Sequence, residues 1–486
     1  MNRLQQALDA GRFVCVLEAS PRFSPTQRAA LEQILQHGQL AGWPLLPAFS
    51  DRVGLQPGPG PLEAAGTLNN PTPALLHFSG KDREQSDLLQ QIRAMRALGL
   101  KQLLLLSGDR LPGHQPDQTP VRYLESVPAL QITRRHCPDW LLGAALNPFK
   151  YCEEESQAQY LKGQKKLLAG ADFLTLQLGF DADKHLEAHA WMRRQPASKP
   201  VLACVMRLTV KRAAVLQSVP GILITDSMRS FLQHEQKLSE TAASERSLER
   251  LALQIIGLQL MGYAGIHLSG VHSLEELLAL EQAIIRLRDS LTSLEQWQLR
   301  WQASWQLPGT AAVCFTPPAT ARWTPGQPGV TASRKELLRY RFFYAVHEQL
   351  FDRNGWPGRA FGWCMAQPVW KKPWPARTLH AVERAIKRPL LGCDTCGTCR
   401  LQDTLYVCPE TCPKGLANGP CGGTRQNRCE FGDRECIHSI KYRIAKSADQ
   451  LPVLAHNLIP CIQADERHRS SWPGWFEADQ PGQNDP

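Results

Sequence analysis

Residues 75–111 read LLHFSGKDREQSDLLQQIRAMRALGLKQLLLLSGDRL, and this stretch decides the fold. Short apolar runs at 73–77 and 102–106 predict two strands. Between them, at 84–98, apolar residues recur every three to four positions, which predicts an amphipathic helix. A strand, a helix and a second strand in this order are typical of a parallel βαβ unit.

The same alternation runs through roughly the first 290 residues. Strands are predicted at 13–17, 44–48, 73–77, 102–106, 141–145, 173–176, 201–205 and 265–268. Eight such repeats predict a (β/α)8 TIM barrel, which is an α/β fold. An open doubly wound sheet is the alternative. A Gly-rich phosphate loop usually follows the first strand of that fold, whereas here Glu18 is followed by Ala-Ser-Pro-Arg.

Polar side chains stand at the ends of successive predicted strands. They are Glu18, Ser50, Asp51, His77, Asp109, Asn147 and Gln177. Any one of them alone is typical of a helix cap or a turn. Because the carboxyl ends of barrel strands meet on one face, where barrel enzymes carry their catalytic groups, the whole series predicts an active site there.

A second signal lies at 390–436, LLGCDTCGTCRLQDTLYVCPETCPKGLANGPCGGTRQNRCEFGDREC. It contains eight of the fifteen cysteines: Cys393, Cys396, Cys399, Cys408, Cys412, Cys421, Cys429 and Cys436. Thiolates grouped at two-residue gaps indicate a metal or iron–sulfur site. The first three repeat the spacing of bacterial ferredoxins and Cys-Pro pairs follow, so iron–sulfur is favoured and zinc is the alternative. Eight thiolates could hold two four-iron clusters, one cluster with a zinc, or one cluster with structural thiols.

Composition narrows the class of protein further. Residues 1–13 show no signal peptide, so we expect a cytoplasmic protein with reduced thiols and not a disulfide-bonded knot. No apolar run is long enough to span a bilayer. The net charge of +10 is spread along the chain without a polybasic run, which argues against nucleic acid as a partner.

The chain divides into four predicted parts. Residues 1–300 form the barrel, and 301–332 form a linker around a stretch rich in Pro, Gly and Thr. Residues 333–469 form a helical and cysteine-rich domain, with helices at 335–351 and 377–387. The polar segment 470–486 is predicted to be a disordered tail.

Several of these stretches resemble one family. VLEASP at 16–21, the run at 75–111, KLLAGADFLTLQLGFD at 166–181 and GYAGIHLSGV at 262–271 resemble methylenetetrahydrofolate reductases, over residues 10–290. The cysteine stretch, with C-x-x-C-G-x-C, C-P-x-x-C-P-K, N-G-P-C-G-G and C-E in order, resembles the cysteine-rich C-terminal domain of that family.

The resemblance implies a flavin-dependent oxidoreductase that interconverts 5,10-methylenetetrahydrofolate and 5-methyltetrahydrofolate. Glu18 would be the general acid that protonates N10 of the folate, and its pKa would be raised by burial. Asp109 would be the second catalytic residue, beside the flavin and the folate. Gln177 would hydrogen-bond the pterin.

The resemblance also implies cofactors. The flavin would be FAD, with FMN as the alternative because Asn147-Pro-Phe149 departs from the family's pattern near the adenine end. Its contacts would be Ser50, Asp51, His77, Ser107, Gly108, Asp109 and Asn147. All eight clustered cysteines would be ligands of [4Fe–4S] clusters or of zinc.

The electron donor and the assembly stay open. Electrons would come from NAD(P)H or from an electron-transfer protein, and the chain could form a homo- or hetero-oligomer. Two other functions remain: a pterin-binding methyltransferase, which would carry no flavin, and a non-catalytic electron-transfer protein.

Overall fold

A computed structural model describes residues 3–51, 58–71, 73–111, 123–317, 323, 329–352 and 354–477. Its strands are β1 (Val14–Ala19), β2 (Gln39–Leu40), β3 (Trp43–Phe49), β4 (Leu75–Ser79), β5 (Gln102–Leu106), β6 (Leu141–Leu146), β7 (Phe173–Leu176), β8 (Val201–Met206) and β9 (Gly265–Ser269). Every strand predicted from the sequence is present, and only the two-residue β2 is additional.

Eight parallel strands close into a barrel. Neighbouring strands follow the order β1, β9, β8, β7, β6, β5, β4, β3, and β1 also pairs with β3. In that closing pair, Glu18 lies opposite Ala48. Strand β2 pairs only with β3, and it does so antiparallel. The predicted barrel is therefore confirmed, and the open doubly wound sheet is excluded because the first and last strands of the chain are hydrogen-bonded neighbours.

Twelve described helices accompany the barrel. They are α1 (Arg3–Asp9), α2 (Pro25–His37), α3 (Pro61–Gly66), α4 (Gln85–Ala97), α5 (Ser126–His136), α6 (Glu153–Leu168), α7 (Ala182–Arg193), α8 (Val210–Leu216), α9 (Asp226–Leu238), α10 (Glu240–Met261), α11 (Leu274–Arg288) and α12 (Leu294–Ser304). Several begin at a hydroxyl cap; for example, the Ser24 side chain accepts from the backbone N–H of Gln27 at the start of α2.

The barrel interior is apolar at its amino end and polar at its carboxyl end. Successive residues of a strand point to opposite faces, so alternate side chains enter the interior. The apolar layers contain Val14, Val16, Leu46, Ala48, Leu75, Leu104, Leu141, Phe173 and Leu202. Helix α1 closes the amino end with Leu4, Ala7 and Leu8. The same alternation carries Glu18 and His77 into the interior near the carboxyl end, where functional groups of barrels lie.

The C-terminal region contains more helix than we expected. Its helices are α13 (Arg334–Leu350), α14 (Trp356–Met365), α15 (Pro373–Leu391), α16 (Ile437–Ser447), α17 (Leu451–His456) and α18 (Ser471–Glu477). Short 3-10 turns lie at Pro368–Lys371, Gln402–Thr404, Pro409–Thr411 and Ala464–Glu466. None of the helices in the described ranges is long and apolar enough to cross a membrane.

Two predicted boundaries differ from the observed elements. Helix α12 crosses the boundary predicted at residue 300, because Trp297 and Trp301 pack into the barrel core. The predicted tail begins with a helix, α18, because Phe476 packs against Met365 and Leu379. The remainder of the predicted tail, 478–486, and most of the predicted linker, 318–322 and 324–328, lie outside the described residues.

Helix α6 fixes the position of the C-terminal region. Its sequence, EEESQAQYLKGQKKLL, is typical of an exposed helix, yet all six of its charged residues are buried. Helices α16 and α17 both pack against it. Barrel and cysteine-rich region thus share a continuous interface next to the carboxyl ends of β5 and β6.

Candidate functional site

The first site centres on Glu18, inside the carboxyl end of the barrel. The Ser269 hydroxyl on β9 donates a hydrogen bond to the Glu18 carboxylate. His77 on β4 and His267 on β9 lie beside it, with their ring centroids 5.2 Å apart. The Ser50 hydroxyl, at the end of β3, donates to the Ala19 carbonyl oxygen at 3.4 Å and lies close enough to Glu18 to lower its pKa. Two hydroxyls and two imidazoles therefore surround one carboxylate.

The two imidazoles are neutral near pH 7. Burial, with a smaller contribution from the neighbouring His267, lowers the pKa of His77 to about 3, while Glu18 opposes the shift. Burial also lowers the pKa of His267. Neither ring therefore stores a proton at neutral pH, and each can offer both a donor and an acceptor nitrogen.

The sequence-based prediction of a raised Glu18 pKa is wrong for this structure. Burial raises the pKa of Glu18, but electrostatic attraction to the His267 and His77 rings, together with the hydroxyls of Ser269 and Ser50, outweighs burial and lowers it. The carboxylate is consequently ionised at neutral pH in this environment. The sequence did not predict this because His267 and Ser269 reach Glu18 only when β9 pairs with β1.

Several buried polar atoms around this site have no hydrogen-bond partner in the described part of the chain. They are Nε2 of His77, Nδ1 and Nε2 of His267, and Oγ1 of Thr175. Buried polar groups are nearly always paired, because an unpaired one costs about 1–3 kcal/mol. The upper interior of the barrel is therefore suited to a ligand that supplies both hydrogen-bond donors and acceptors.

Asp109 lies a short way from β5, beneath the cysteine-rich region. The Lys414 ammonium donates to the Gly108 carbonyl oxygen at 2.9 Å and forms an ion pair with Glu430. Glu430 also accepts from the backbone N–H of Arg110 at 2.5 Å. Asp109 keeps an exposed surface, yet the surrounding protein raises its pKa and Glu430 raises it further, against opposing effects of Lys414 and Lys81.

Other side chains predicted to bind the cofactor or substrate form ion pairs or hydrogen bonds within the protein. Asp51 forms an ion pair with Arg83 at 2.5 Å. The Ser107 hydroxyl accepts from the backbone N–H of Ser126 at 3.1 Å. The Gln177 side chain accepts from the backbone N–H of its neighbour, Leu178, at 2.9 Å. The structure thus brings Ser50 and His77 to Glu18, whereas Asp51 and Ser107 support the loops around them.

Asn147 binds the cysteine-rich region directly. Its amide donates to the carbonyl oxygens of Gly221, at 2.9 Å, and of Gly422, at 2.8 Å. Gly422 also accepts from the ammonium of the buried Lys150 at 2.9 Å. The loop at 418–423, NGPCGG, therefore covers the carboxyl end of β6, where the resemblance places the adenine end of a flavin nucleotide.

The same loop inserts against helix α6. The Gln159 amide donates to the Cys421 carbonyl oxygen at 2.8 Å, and Lys162 donates to that of Gly419 at 3.0 Å. Gly419 has φ of 153°, and a Cβ atom there would lie 2.7 Å from the Lys162 side chain. Only glycine fits so close to α6.

A buried ion pair anchors this contact. Lys162 lies 2.7 Å from Glu125, and both are nearly inaccessible to solvent. The second oxygen of Glu125 accepts from the backbone N–H groups of Ala417 and Asn418, each at 3.0 Å. Burial alone would raise the pKa of Glu125, but Lys162 and Asn418 lower it to about 2. The barrel thus supplies the charge that orders the loop.

The eight clustered cysteines fall into two groups of four. In the outer set, the thiols of Cys393 and Cys408 hydrogen-bond each other, which lowers the pKa of Cys393 to about 7. Cys396 lies near both Cys393 and Cys399, and burial raises its pKa to about 11. The outer set is therefore Cys393, Cys396, Cys399 and Cys408.

The inner set contains the other four cysteines. Burial raises the pKa of Cys436, and the nearby thiols of Cys421, Cys412 and Cys429 raise it further. The inner set lies against the barrel, since the Cys421 sulfur is 3.4 Å from the Glu430 carboxylate that also contacts Arg110. The inner set and Asp109 are therefore separated by little more than the Lys414–Glu430 pair.

The thiols fit a metal site in number and kind. All fifteen cysteines are free. Within the described ranges, however, no three His, Cys, Asp or Glu side chains already converge as a metal site. Two sets of four thiols match the ligand requirement of two four-iron clusters, or of tetrahedral zinc, once their side chains turn toward a common centre.

Two family matches cover most of this architecture. Residues 65–280, which contain the barrel from β4 to β9, match "Methylenetetrahydrofolate reductase". Residues 374–465 match "Methylene-tetrahydrofolate reductase C terminal", which includes both cysteine sets. The chain belongs to the methylenetetrahydrofolate reductase family. The resemblance predicted from the sequence is thereby confirmed in both parts.

Individual relatives are distant. A Caenorhabditis elegans protein named "Probable methylenetetrahydrofolate reductase (NADPH)" is 24% identical over 185 residues, which is 36% of this chain and 27% of the relative. The chain thus aligns with about a quarter of that relative's length. A Clostridium thermocellum structure titled as an uncharacterized protein that binds two copies of 5-methyl-5,6,7,8-tetrahydrofolic acid is 12% identical, with a TM-score of 0.43, and covers 59% of this chain and 98% of its own.

Sequence reasoning missed four residues of the two sites. His267 and Ser269 alternate within GYAGIHLSGV, so their period of two could have indicated an inward-facing pair on the last strand. Lys414 and Glu430 carry no such signal. They reach Asp109 only because the cysteine-rich region folds over the barrel.

Proposed function

We propose that this member of the methylenetetrahydrofolate reductase family interconverts 5,10-methylenetetrahydrofolate and 5-methyltetrahydrofolate, with a flavin in the barrel and iron–sulfur clusters in the cysteine-rich region. The main support is the family match over the barrel together with Glu18 at its carboxyl end, among polar atoms that have no protein partner in the described ranges.

A flavin ring suits the upper barrel. Its pyrimidine edge alternates hydrogen-bond donors and acceptors, which complements neutral His77 and His267. Ser50, His77 and Asp109 would hold it, and Gln177 would hydrogen-bond the pterin of the folate. Bound there, the flavin would exchange a hydride with the one-carbon unit of the folate. FAD is the cofactor predicted from the resemblance. FMN gains support from the NGPCGG loop, which covers the end of β6.

Glu18 would move the proton at N10 of the folate. Its carboxylate is oriented by the Ser269 hydroxyl, and it would take a proton from solvent before the substrate arrives. A pterin lying over Glu18 would exclude water, and further burial acts to raise the pKa of a carboxyl. Substrate binding would thus keep the proton on Glu18 until N10 takes it.

The two cysteine sets would form an electron path. The inner set adjoins the Lys414–Glu430 pair beneath which Asp109 lies, and the outer set lies farther along the same region. We assign a [4Fe–4S] cluster to each set, with zinc as the alternative. Electrons would pass between the outer set, the inner set and the barrel.

Anaerobic purification of the full chain tests the assignment. We expect one flavin and about eight iron atoms per chain, with matching acid-labile sulfide, and a paramagnetic signal after reduction. Cys396→Ser should remove the outer signal and Cys421→Ser the inner one. Cys314→Ser, at an exposed thiol outside both sets, is the matched control and should change neither. Stoichiometric zinc without iron, even after anaerobic reconstitution, would overturn the electron-transfer role. Protein that contains no flavin would favour the methyltransferase alternative.

Asp109→Asn should raise the midpoint potential of the bound flavin by tens of millivolts, because loss of a negative charge favours the electron-rich reduced form. The pKa of Asp109 is raised, so its carboxyl is more often neutral at low pH. The difference between wild type and variant should therefore be small at low pH and increase with pH. Spectroelectrochemical titration of both proteins across that range measures it. If wild type and Asp109→Asn had equal flavin midpoint potentials at high pH, Asp109 would not lie near the flavin.

A further inference from the structure

The C-terminal helices α13 to α15 carry most of the chain's excess positive charge. Residues 333–391 contain twelve Lys and Arg but only four Asp and Glu, a net charge of +8 out of +10 for the whole chain. Charge that appears spread out along the sequence is thus concentrated in one segment, whose helices contact each other.

These helices also expose large apolar side chains. Trp356, Trp363 and Trp374 are 77%, 72% and 77% exposed, and Leu338 is 72% exposed. In the barrel, by contrast, Trp297 is buried. Large aromatic side chains that stay exposed on one group of helices are typical of an interaction surface. We call the exposed surface of α13, α14 and α15 the basic aromatic face.

The basic aromatic face belongs to one small packed unit. Phe351, at the end of α13, packs against Phe361 of α14 and Phe476 of α18. On α15, Leu379 and Glu383 face inward, whereas Val382, Ile386 and Leu390 are half-exposed along one side of the helix. The exposed residues therefore lie on a folded support.

This unit is built directly onto the outer cysteine set. The Lys387 ammonium of α15 lies 3.7 Å from the Cys399 sulfur, and Cys393 follows the end of α15 by two residues. On α13, the ring of Phe343 stacks on Tyr406, two residues before Cys408. A molecule bound to these helices would be near the outer set, with the inner set and the barrel beyond it.

We propose that the basic aromatic face docks an acidic electron-transfer protein, which exchanges electrons with the outer cysteine set. The proposal rests on the proposed function. A negative partner surface complements the net charge of +8, and apolar contacts from the exposed tryptophans would hold the complex. A second copy of this chain would place positive charge against positive charge. Binding to a membrane surface would not explain why the basic aromatic face lies beside the outer cysteine set.

The electron balance suits such a partner. Each carrier molecule would be oxidised by one electron, which enters the outer set. Two transfers supply the two electrons that convert the methylene group to methyl, and two protons come from solvent, one of them through Glu18. In the opposite direction, two oxidised carrier molecules would each accept one electron.

The test uses full-length protein that carries its clusters and a reduced acidic two-iron ferredoxin as the carrier. Stopped-flow reduction should slow as salt increases, because screening weakens association between opposite charges. Arg341→Glu combined with Arg384→Glu should lower the second-order rate about tenfold at low salt. Arg28→Glu combined with Arg93→Glu makes the same charge change at exposed barrel positions and should leave the rate unchanged.

Two further measurements separate the explanations. Trp374→Ala keeps every charge and should still weaken carrier binding, whereas reduction by dithionite should be the same in all variants. Equal carrier rates in the two charge variants would overturn the docking proposal. So would binding to phosphatidylserine vesicles that is lost in Arg341→Glu/Arg384→Glu while the carrier rate is unchanged. Protein without a reducible cluster would overturn the proposed function as well.

Discussion

Glu18→Gln should lower the rate of methylenetetrahydrofolate reduction by about 10²–10⁴-fold, the usual contribution of a general acid. Glutamine keeps the shape of the side chain and can still accept from Ser269, but it has no proton to give to N10. Rapid-mixing measurements with folate, compared with reduction of the same protein by dithionite, separate the folate step from electron entry. Only the folate step should be lost.

The pH dependence of the folate step should follow the protonation of Glu18. Because the pKa of Glu18 is lowered, the protonated acid becomes scarcer as pH rises, so the rate should increase toward acid pH. His77, with a pKa of about 3, should not contribute between pH 5 and 8. Ser269→Ala removes a hydrogen bond to the carboxylate, so it should raise the Glu18 pKa and move the profile to higher pH. Glu245→Gln, at an exposed position, is the control. If Glu18→Gln slowed the folate step and electron entry equally, Glu18 would have a structural role.

Glu125→Ala should destabilise the folded chain by about 3–5 kcal/mol, because it leaves the buried Lys162 ammonium without its partner. The same change removes the acceptor for the N–H groups of Ala417 and Asn418, so the NGPCGG loop should detach from the barrel. Urea unfolding measures the first effect. Proteolysis near residue 418 measures the second. Glu249→Ala, which breaks an exposed ion pair with Arg300, should cost less than about 1 kcal/mol.

Glu125 also predicts how the stability of the folded chain depends on pH. Its pKa falls from 4.5 to about 2 on folding. The stabilisation, about 3 kcal/mol at 1.36 kcal/mol per pKa unit, is present above pH 4.5 and is lost as pH falls toward 2. Glu125→Gln should therefore flatten the decline in stability over that interval. A decline as steep as in the wild type would assign the acid sensitivity to other carboxylates.

The same contacts predict how a truncated barrel would behave. Removing the chain beyond residue 330 would expose the face of α6 that contains Lys162 and would remove the carbonyl oxygens of Gly419 and Pro420 that accept from its ammonium. A barrel cut there is not expected to keep its native packing around Asn147. The two parts are better treated as one folding unit than as a catalytic barrel with a detachable module.

The barrel could be read from the sequence because its signals are local. Each strand is a short apolar run and each helix has apolar residues at intervals of three to four, so the alternation appears without knowledge of contacts. Glu18, His77 and Asp109 followed from the same reasoning, since parallel strands in a barrel end on one face. Cysteine spacing likewise identified all eight clustered thiols.

Long-range contacts decided the rest. Cys408 and Cys412 are four residues apart and both precede proline, yet they fall into different sets. Nothing in their spacing distinguishes them, because the partition depends on which distant thiols the chain brings near each. The lowered pKa of Glu18 has the same kind of origin, since His267 and Ser269 are 249 and 251 residues away along the chain.

The sequence by itself determined the barrel, the location of its polar end and the family, because periodicity and motif spacing are properties of neighbouring residues. The tertiary structure alone decided that α6 is buried and that the NGPCGG loop covers β6. It also brought the basic aromatic face and the outer cysteine set together. These features depend on surfaces that meet only after folding, where burial changes the energy of every charge that it encloses.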